Sequence, residues 1–191
     1  ETHTANTKGQ IFFATRDDTQ DIAPTERLRI HPSGIVSIPE GIELGSGLDS
    51  TAANVLSDYE EGTFTPNLID TSNNAITSYT TRVGEYTKIG DIVHYFIHIE
   101  INAKGSALGG NFMKISGLPF TPTGNTGAYP ASTSHAGVNT GSNGFFASVY
   151  GNNAFLYLFE GSSDDTTDQL EPSEFADGDN ITLLGTYKTA S

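Results

Sequence analysis

The sequence predicts an all-β protein, and three observations carry that reading. Apolar residues make up 36% of the chain and 21 residues are Gly, a composition that favours short strands and tight turns over helices. Apolar and polar residues alternate with a period of two, most clearly in Ile92-Val-His-Tyr-Phe-Ile-His-Ile-Glu-Ile101, as a strand with one buried face requires. Gly-, Pro- and Asn-rich turn signals recur so closely from Gly62 onward that about eight to ten short strands fit, in the manner of a β-sandwich or jelly roll.

Charge and composition exclude several functions. The formal charge is −14, which argues against nucleic acid and against an anionic membrane surface as partners, since both need clustered Lys and Arg. The absence of Cys removes disulfide and thiolate chemistry. No apolar run is long enough to span a bilayer, so membrane insertion is not expected. The chain shows no signal peptide and starts at Glu1 without Met, which points to a fragment of a longer polypeptide.

Residues 1–9 are polar and expected to fray. Gln10–Thr15 reads as a strand, and Arg16–Thr25 as a charged loop ending beyond Pro24. Leu28 and Ile30 alternate with Arg27, Arg29 and His31 in a second strand. Pro32-Ser33-Gly34 makes a turn, Ile35–Ile38 follows as a short strand, and Pro39, Gly41, Gly45 and Gly47 break the chain again. Strands this small cannot bury themselves, so residues 1–48 call for partner chains, which a trimer wrapped about one axis would supply. Residues 49–66 read as a neck with a short helix, capped by Asp49 or Ser50, holding Ala52, Ala53, Val55 and Leu56, and stopped at Gly62. Asp58, Glu60 and Glu61 then fall on an exposed helical turn and a solvated loop.

The head, residues 67–191, continues the strand pattern, with Thr63–Ile69 and a weaker Ala75–Thr81 at its entry. In Val83–Ile101 a two-residue Gly90-Asp91 turn pairs Ile89 with Ile92 and Tyr86 with Tyr95. One face then carries Tyr86, Val93, Tyr95, Ile97, Ile99 and Ile101 and becomes core, while Glu85, Thr87, His94, Phe96, His98 and Glu100 take the other. Asn111–Ile115 is a further strand. Residues 123–144 read as long surface loops with short pairing around Tyr129 and His135. Phe145–Tyr150 and Ala154–Glu160 make a second hairpin around Gly151-Asn152-Asn153, residues 161–179 an acidic loop, and Asn180–Lys188 the last strand.

Five segments in order resemble a known family. Arg27-Leu-Arg-Ile-His-Pro-Ser-Gly-Ile-Val-Ser-Ile38 is similar to a shaft segment of bacteriophage tail fibres, and Leu56-Ser-Asp-Tyr-Glu-Glu-Gly-Thr-Phe-Thr-Pro66 to their neck. Gly84-Glu-Tyr-Thr-Lys-Ile-Gly90, Ile115-Ser-Gly-Leu-Pro-Phe120 and Gly185-Thr-Tyr-Lys-Thr-Ala190 resemble their heads. The resemblance implies a short intertwined trimeric β shaft, a neck and an antiparallel, jelly-roll-like β-sandwich head: a homotrimeric fibre tip on the virion, joined to upstream fibre segments, that contacts the host surface. Many such relatives end in a helical self-cleaving chaperone, and nothing here resembles it.

The candidate function is attachment to a bacterial surface receptor, a polysaccharide first. The alternatives are a purely structural fibre or capsid-decoration module, and a glycan-degrading enzyme. In the second hairpin, Phe145, Ala147, Val149, Ala154, Leu156 and Leu158 share one face, and Phe146, Ser148, Tyr150, Phe155, Tyr157 and Phe159 the other. Two apolar faces imply that both are covered, by core, by neighbouring subunits, or by a ligand on an aromatic platform. The contact surface is expected in the loop-rich region 123–144 together with the acidic loop, since loops on a rigid sandwich carry recognition, and the candidate receptor-binding residues are Tyr129, His135, Asn139, Asn143, Phe146, Tyr150 and Tyr157.

No catalytic motif appears: there is no Gly-x-Ser-x-Gly elbow, Walker loop or His-Glu-x-x-His. His94 and His98 share a strand face but stand about 13 Å apart, so one strand cannot chelate zinc with both; a metal shared across a three-fold axis stays open. Asp164, Asp165, Asp168, Asp177 and Asp179 are candidate Ca2+ ligands by chemistry, though the D-x-D-x-D-G spacing is missing. Otherwise no cofactor is expected.

Overall fold

The computed structural model of the protein describes residues 9–16, 23–44, 55–56, 58–110, 112–124, 128–141, 144–161 and 167–190. They form two compact units, divided between Asp58 and Tyr59, and the protein is all-β.

In the first unit, strands β1 (Ile11–Thr15), β2 (Thr25–Ile30) and β3 (Val36–Ser37) form an antiparallel sheet in that order, and β4 (Ile42–Glu43) pairs with β5 (Val55–Leu56). The expected turn closes the β2–β3 hairpin: Gly34, at φ 86, donates its N–H to His31 O at 2.9 Å. Arg29 grips Glu26 through Nε and Nη2, and His31 Nε2 meets Ser37 Oγ at 2.8 Å. These polar contacts set the register but enclose nothing. No described residue of this unit is buried, and Ile11, Phe12, Phe13 and Ile35 stand 59%, 59%, 61% and 64% exposed.

The neck differs from expectation. Val55 and Leu56 are extended and paired with Glu43 and Ile42, while residues 49–54 of the expected helix lie outside the described residues. Gly62, expected to stop that helix, sits inside a strand, as do Glu60 and Glu61. The tilted Phe64 and Tyr86 rings explain the strand: Tyr59–Phe64 alternates its side chains, and Gly62 leaves room for the Tyr86 ring, which an added Cβ would meet at 2.7 Å.

The second unit is a single curled sheet of ten antiparallel strands. Its strands are β6 (Tyr59–Phe64), β7 (Asn67–Asp70), β8 (Ser78–Ile89), β9 (Ile92–Ala103), β10 (Met113–Ser116), β11 (Ala128–Ala136), β12 (Phe145–Tyr150), β13 (Phe155–Gly161), β14 (Thr167–Gln169) and β15 (Asn180–Lys188). They follow the order β6-β8-β9-β15-β11-β12-β13-β10-β7, with β14 on β13. The first and last strands of that path are neighbours in sequence, separated by Thr65 and Pro66 alone. The chain thus passes from one end of the sheet to the other at a bend, which curls the sheet around its own core. Pro66 lacks an N–H and suits a point where ladder pairing changes partner. Gly117, at φ 91, lies so close that a Cβ there would meet Thr65 O at 2.4 Å.

The β8–β9 hairpin has the expected register, with Ile89 opposite Ile92 and Tyr86 opposite Tyr95. Val93, Tyr95, Ile97, Ile99 and Ile101 are all buried. They meet Leu68 of β7, Met113 and Ile115 of β10, Ala147 and Val149 of β12, Leu156 and Leu158 of β13, and Ile181, Leu183 and Tyr187 of β15. Two expectations of loop are overturned. Within 123–144 lies the nine-residue strand β11, held between β15 and β12. Its Pro130 is tolerated because β15 pairs only from Ala131 onward, so β11 has one neighbour there. In the acidic stretch, β14 and a 3-10 turn at Pro172–Glu174 carry Leu170 and Phe175 into the core, at 0% and 1% exposed.

Candidate functional site

The β12–β13 hairpin builds the site. Its register places Phe146 opposite Phe159, Ala147 opposite Leu158, Ser148 opposite Tyr157 and Val149 opposite Leu156. The pairing is offset by two residues from one closed by a two-residue Gly151-Asn152 turn. A shift of two preserves the side-chain alternation, so both expected faces are present. Ala147, Val149, Leu156 and Leu158 are fully enclosed on the inner face.

The outer face is a packed aromatic surface. Phe146 and Phe159 stack with ring centroids 5.1 Å apart and planes 10° from parallel. Tyr150 stands edge-on to Tyr157 at 5.5 Å and to Phe159 at 6.3 Å. Phe159 and Ser148 are buried by these neighbours, whereas Phe146 and Tyr150 remain 36% and 39% exposed. Strand β10 extends the same face, since Lys114 lies opposite Tyr157. Lys114 is buried, and its Nζ rests 4.0 Å from the centroid of Phe155. Such pairs prefer fixed offset or edge geometry, so the platform is preformed. Two partly exposed rings, a phenol and an ammonium can present C–H-accepting faces and hydrogen-bonding groups to one ligand.

Of the sequence candidates, Phe146, Tyr150 and Tyr157 come together here. Tyr129 does not join them: it lies opposite Val149, packs against the core, and donates its hydroxyl to Thr123 O at 2.6 Å. His135 is on β11 opposite Ile181, edge-on to Phe145 at 5.5 Å. Asn139 is exposed and bonds through its backbone N–H to Glu174 O at 2.9 Å. Asn143 lies outside the described residues. The signal missed in sequence was Lys114, which stood in a short apolar strand with nothing to tie it to the hairpin.

The Ca2+ candidates are dispersed. Asp164 and Asp165 lie outside the described residues. Asp168 faces Glu160 across β13–β14. Asp177 accepts from the Lys104 N–H at 2.7 Å and Asp179 from the Ala176 N–H at 2.7 Å, so these carboxylates stitch the backbone. Among the described residues no group of three His, Asp or Glu is arranged to hold a metal ion. His94 and His98 each direct Nδ1 to a threonine of β15, Thr186 and Thr182, at 2.9 Å.

Two other acids, the enclosed Asp70 and the half-buried Glu174, are shifted in opposite directions. Asp70, fully enclosed, accepts from Asn74 N, Asn74 Nδ2, Gly109 N and Gly110 N at 2.8–3.0 Å. Burial alone would raise its pKa, but those four N–H donors hold it well below the usual carboxylate range. Glu174 goes the other way. Burial first, and then a hydrogen bond and repulsion from Glu160, push it up to about 7 although the Glu171 N–H favours its charge.

No family model, curated protein or solved structure matches the chain.

Proposed function

We propose that this chain is the homotrimeric tip of a bacteriophage tail fibre, whose second unit attaches the virion to bacterial surface polysaccharide. The observation that carries the attachment reading is the outer face of β12–β13. A sugar ring presents axial C–H groups to an aromatic face and hydroxyls around its rim, and the Phe146, Tyr150 and Tyr157 cluster offers both kinds of contact on a rigid sheet. The fibre reading draws on the shaft-like and neck-like segments and on the first unit, where none of the described residues is buried and several apolar side chains lie uncovered. Three identical chains would cover them, and three modest sites on one tip would raise avidity through effective concentration.

Competition tests the proposal. Purified protein should bind susceptible cells and block infection by the virus that carries it. Phe146→Ala with Tyr150→Ala should weaken that block at least ten-fold; because both rings pack on Phe159 the variant also loses some stability, so binding is compared well below its unfolding midpoint. Failure of the parent protein to bind or block removes the attachment reading and favours a structural module of the fibre.

A further inference from the structure

We infer that the aromatic face takes an anionic saccharide, one bearing a carboxylate or phosphate, and that Lys114 supplies its counter-charge; this rests on the attachment reading above. The chain carries −14 formally, and cations of the second unit are used internally. Arg82 Nη1 donates to Asn67 Oδ1, Lys104 Nζ donates to Pro172 O and Phe175 O at 3.0 and 2.7 Å, and Lys188 pairs with Asp91 at 3.3 Å. Lys88 has partners of its own.

Lys114 is different. Among the described residues its ammonium has neither a hydrogen bond nor an ion pair, and it rests against the Phe155 ring at 4.0 Å. The side chain is only 8% exposed. Burying a cation against apolar surface without an anion is costly, and a ring face offsets only part of that cost. Yet the nitrogen is not sealed in. Tyr95 Oη and His135 Nδ1 are enclosed without a hydrogen bond among the described residues, and Lys114 Nζ is not one of these atoms, so the ammonium keeps some access to solvent.

Its position decides the ligand class. Lys114 is opposite Tyr157 on one side and Ile69 on the other, and Tyr157 is opposite Ser148 and edge-on to Tyr150. The positive charge thus sits within the aromatic platform, with a hydroxyl one strand away. A sugar stacked there can place an anionic group against the ammonium. The nearby buried carboxylate, Asp70, cannot serve instead: it faces the opposite side of its strand from Ile69 and its oxygens are already occupied by four N–H donors. The net negative charge of the chain gives an anionic polymer no long-range attraction, so recognition depends on this local pair within about 8–10 Å.

The test is a binding panel of purified bacterial surface polysaccharides: uronic-acid polymers, the same polymers after reduction of their carboxyls to alcohols, phosphodiester-containing polymers, and neutral ones. The parent protein should bind acidic polymers at least ten-fold more tightly than carboxyl-reduced or neutral ones, and the carboxylated and phosphorylated arms tell which anion is used. Lys114→Met should lose about ten- to a hundred-fold toward the acidic polymer, as expected for loss of a charge-assisted bond, and Lys114→Arg should retain most binding. Equal affinity for native and carboxyl-reduced polymers with no preference for phosphate, or unchanged binding by a folded Lys114→Met, overturns the anionic assignment and leaves attachment standing. The polymer comparison uses the parent protein and so survives any folding defect of the variants. Binding to no polysaccharide at all removes both readings.

Discussion

At the scale of single residues, the second unit shows how a buried polar atom is either paired or costly. Asp70 is paired four times over, and it anchors the turn after β7 to the Gly109–Gly110 backbone. Tyr95 is the opposite case. Its ring packs 5.8 Å from Tyr187, and its enclosed hydroxyl has no partner among the described residues. Tyr95→Phe removes that hydroxyl without opening a void, so it should raise stability by about 1 kcal/mol; urea unfolding with an unchanged slope would read this as a higher midpoint, and a lower midpoint would refute it. Glu174 sets a pH response. Its folded pKa lies at about 7, above its ordinary 4.5, so the folded state holds a proton that the unfolded chain has released. The resulting penalty is absent below about 4.5, grows as pH rises, and is complete above about 7. Thermal midpoints should therefore fall from pH 5 to 7.5, and Glu174→Gln, which can still accept the Glu171 N–H, should flatten that slope. An identical slope in the variant would rule this out.

At the scale of elements, legibility followed the alternation of large apolar and polar side chains. The β8–β9 hairpin combines ten residues of alternation after its turn, broken by Ile92 and Phe96, with Gly90 at φ 58, and both its register and its buried face were readable. The faces of β12–β13 survived an error in turn length because the offset was even. Strand β11 was hidden by its small polar residues and Pro130, which mimic a loop; neighbouring strands, not its own side chains, hold it in the sheet. The segment 167–179 was obscured by its acids, although Leu170 and Phe175 stood among them as the apolar anchors. Leu170→Ala should cost about 2–5 kcal/mol, as for other enclosed leucines. A solvated loop would predict a change within about 0.5 kcal/mol, so chemical denaturation separates the two descriptions directly. The candidate site was legible in part: three of its aromatic residues were visible in the hairpin pattern, but the Lys114 contribution depends on β10 lying beside β13, a pairing that no local pattern announces.

At the scale of the whole molecule, the two units differ in self-sufficiency. The second closes its sheet upon a continuous core running from Leu68 to Tyr187. A fragment spanning 59–191 should therefore unfold cooperatively by itself, with coincident transitions by circular dichroism and tyrosine fluorescence. The first has no buried residue among those described, and Phe12, Phe13 and Ile35 are each more than half exposed. Two- to six-residue strands of this kind do not stand alone in water. Residues 1–58 are therefore proposed to fold against copies of themselves, and light scattering tests this most directly. The expected mass is three times 20.3 kDa, held at micromolar dilution and lost when residues 1–58 are removed; a single 20.3 kDa particle with an ordered first unit would contradict it.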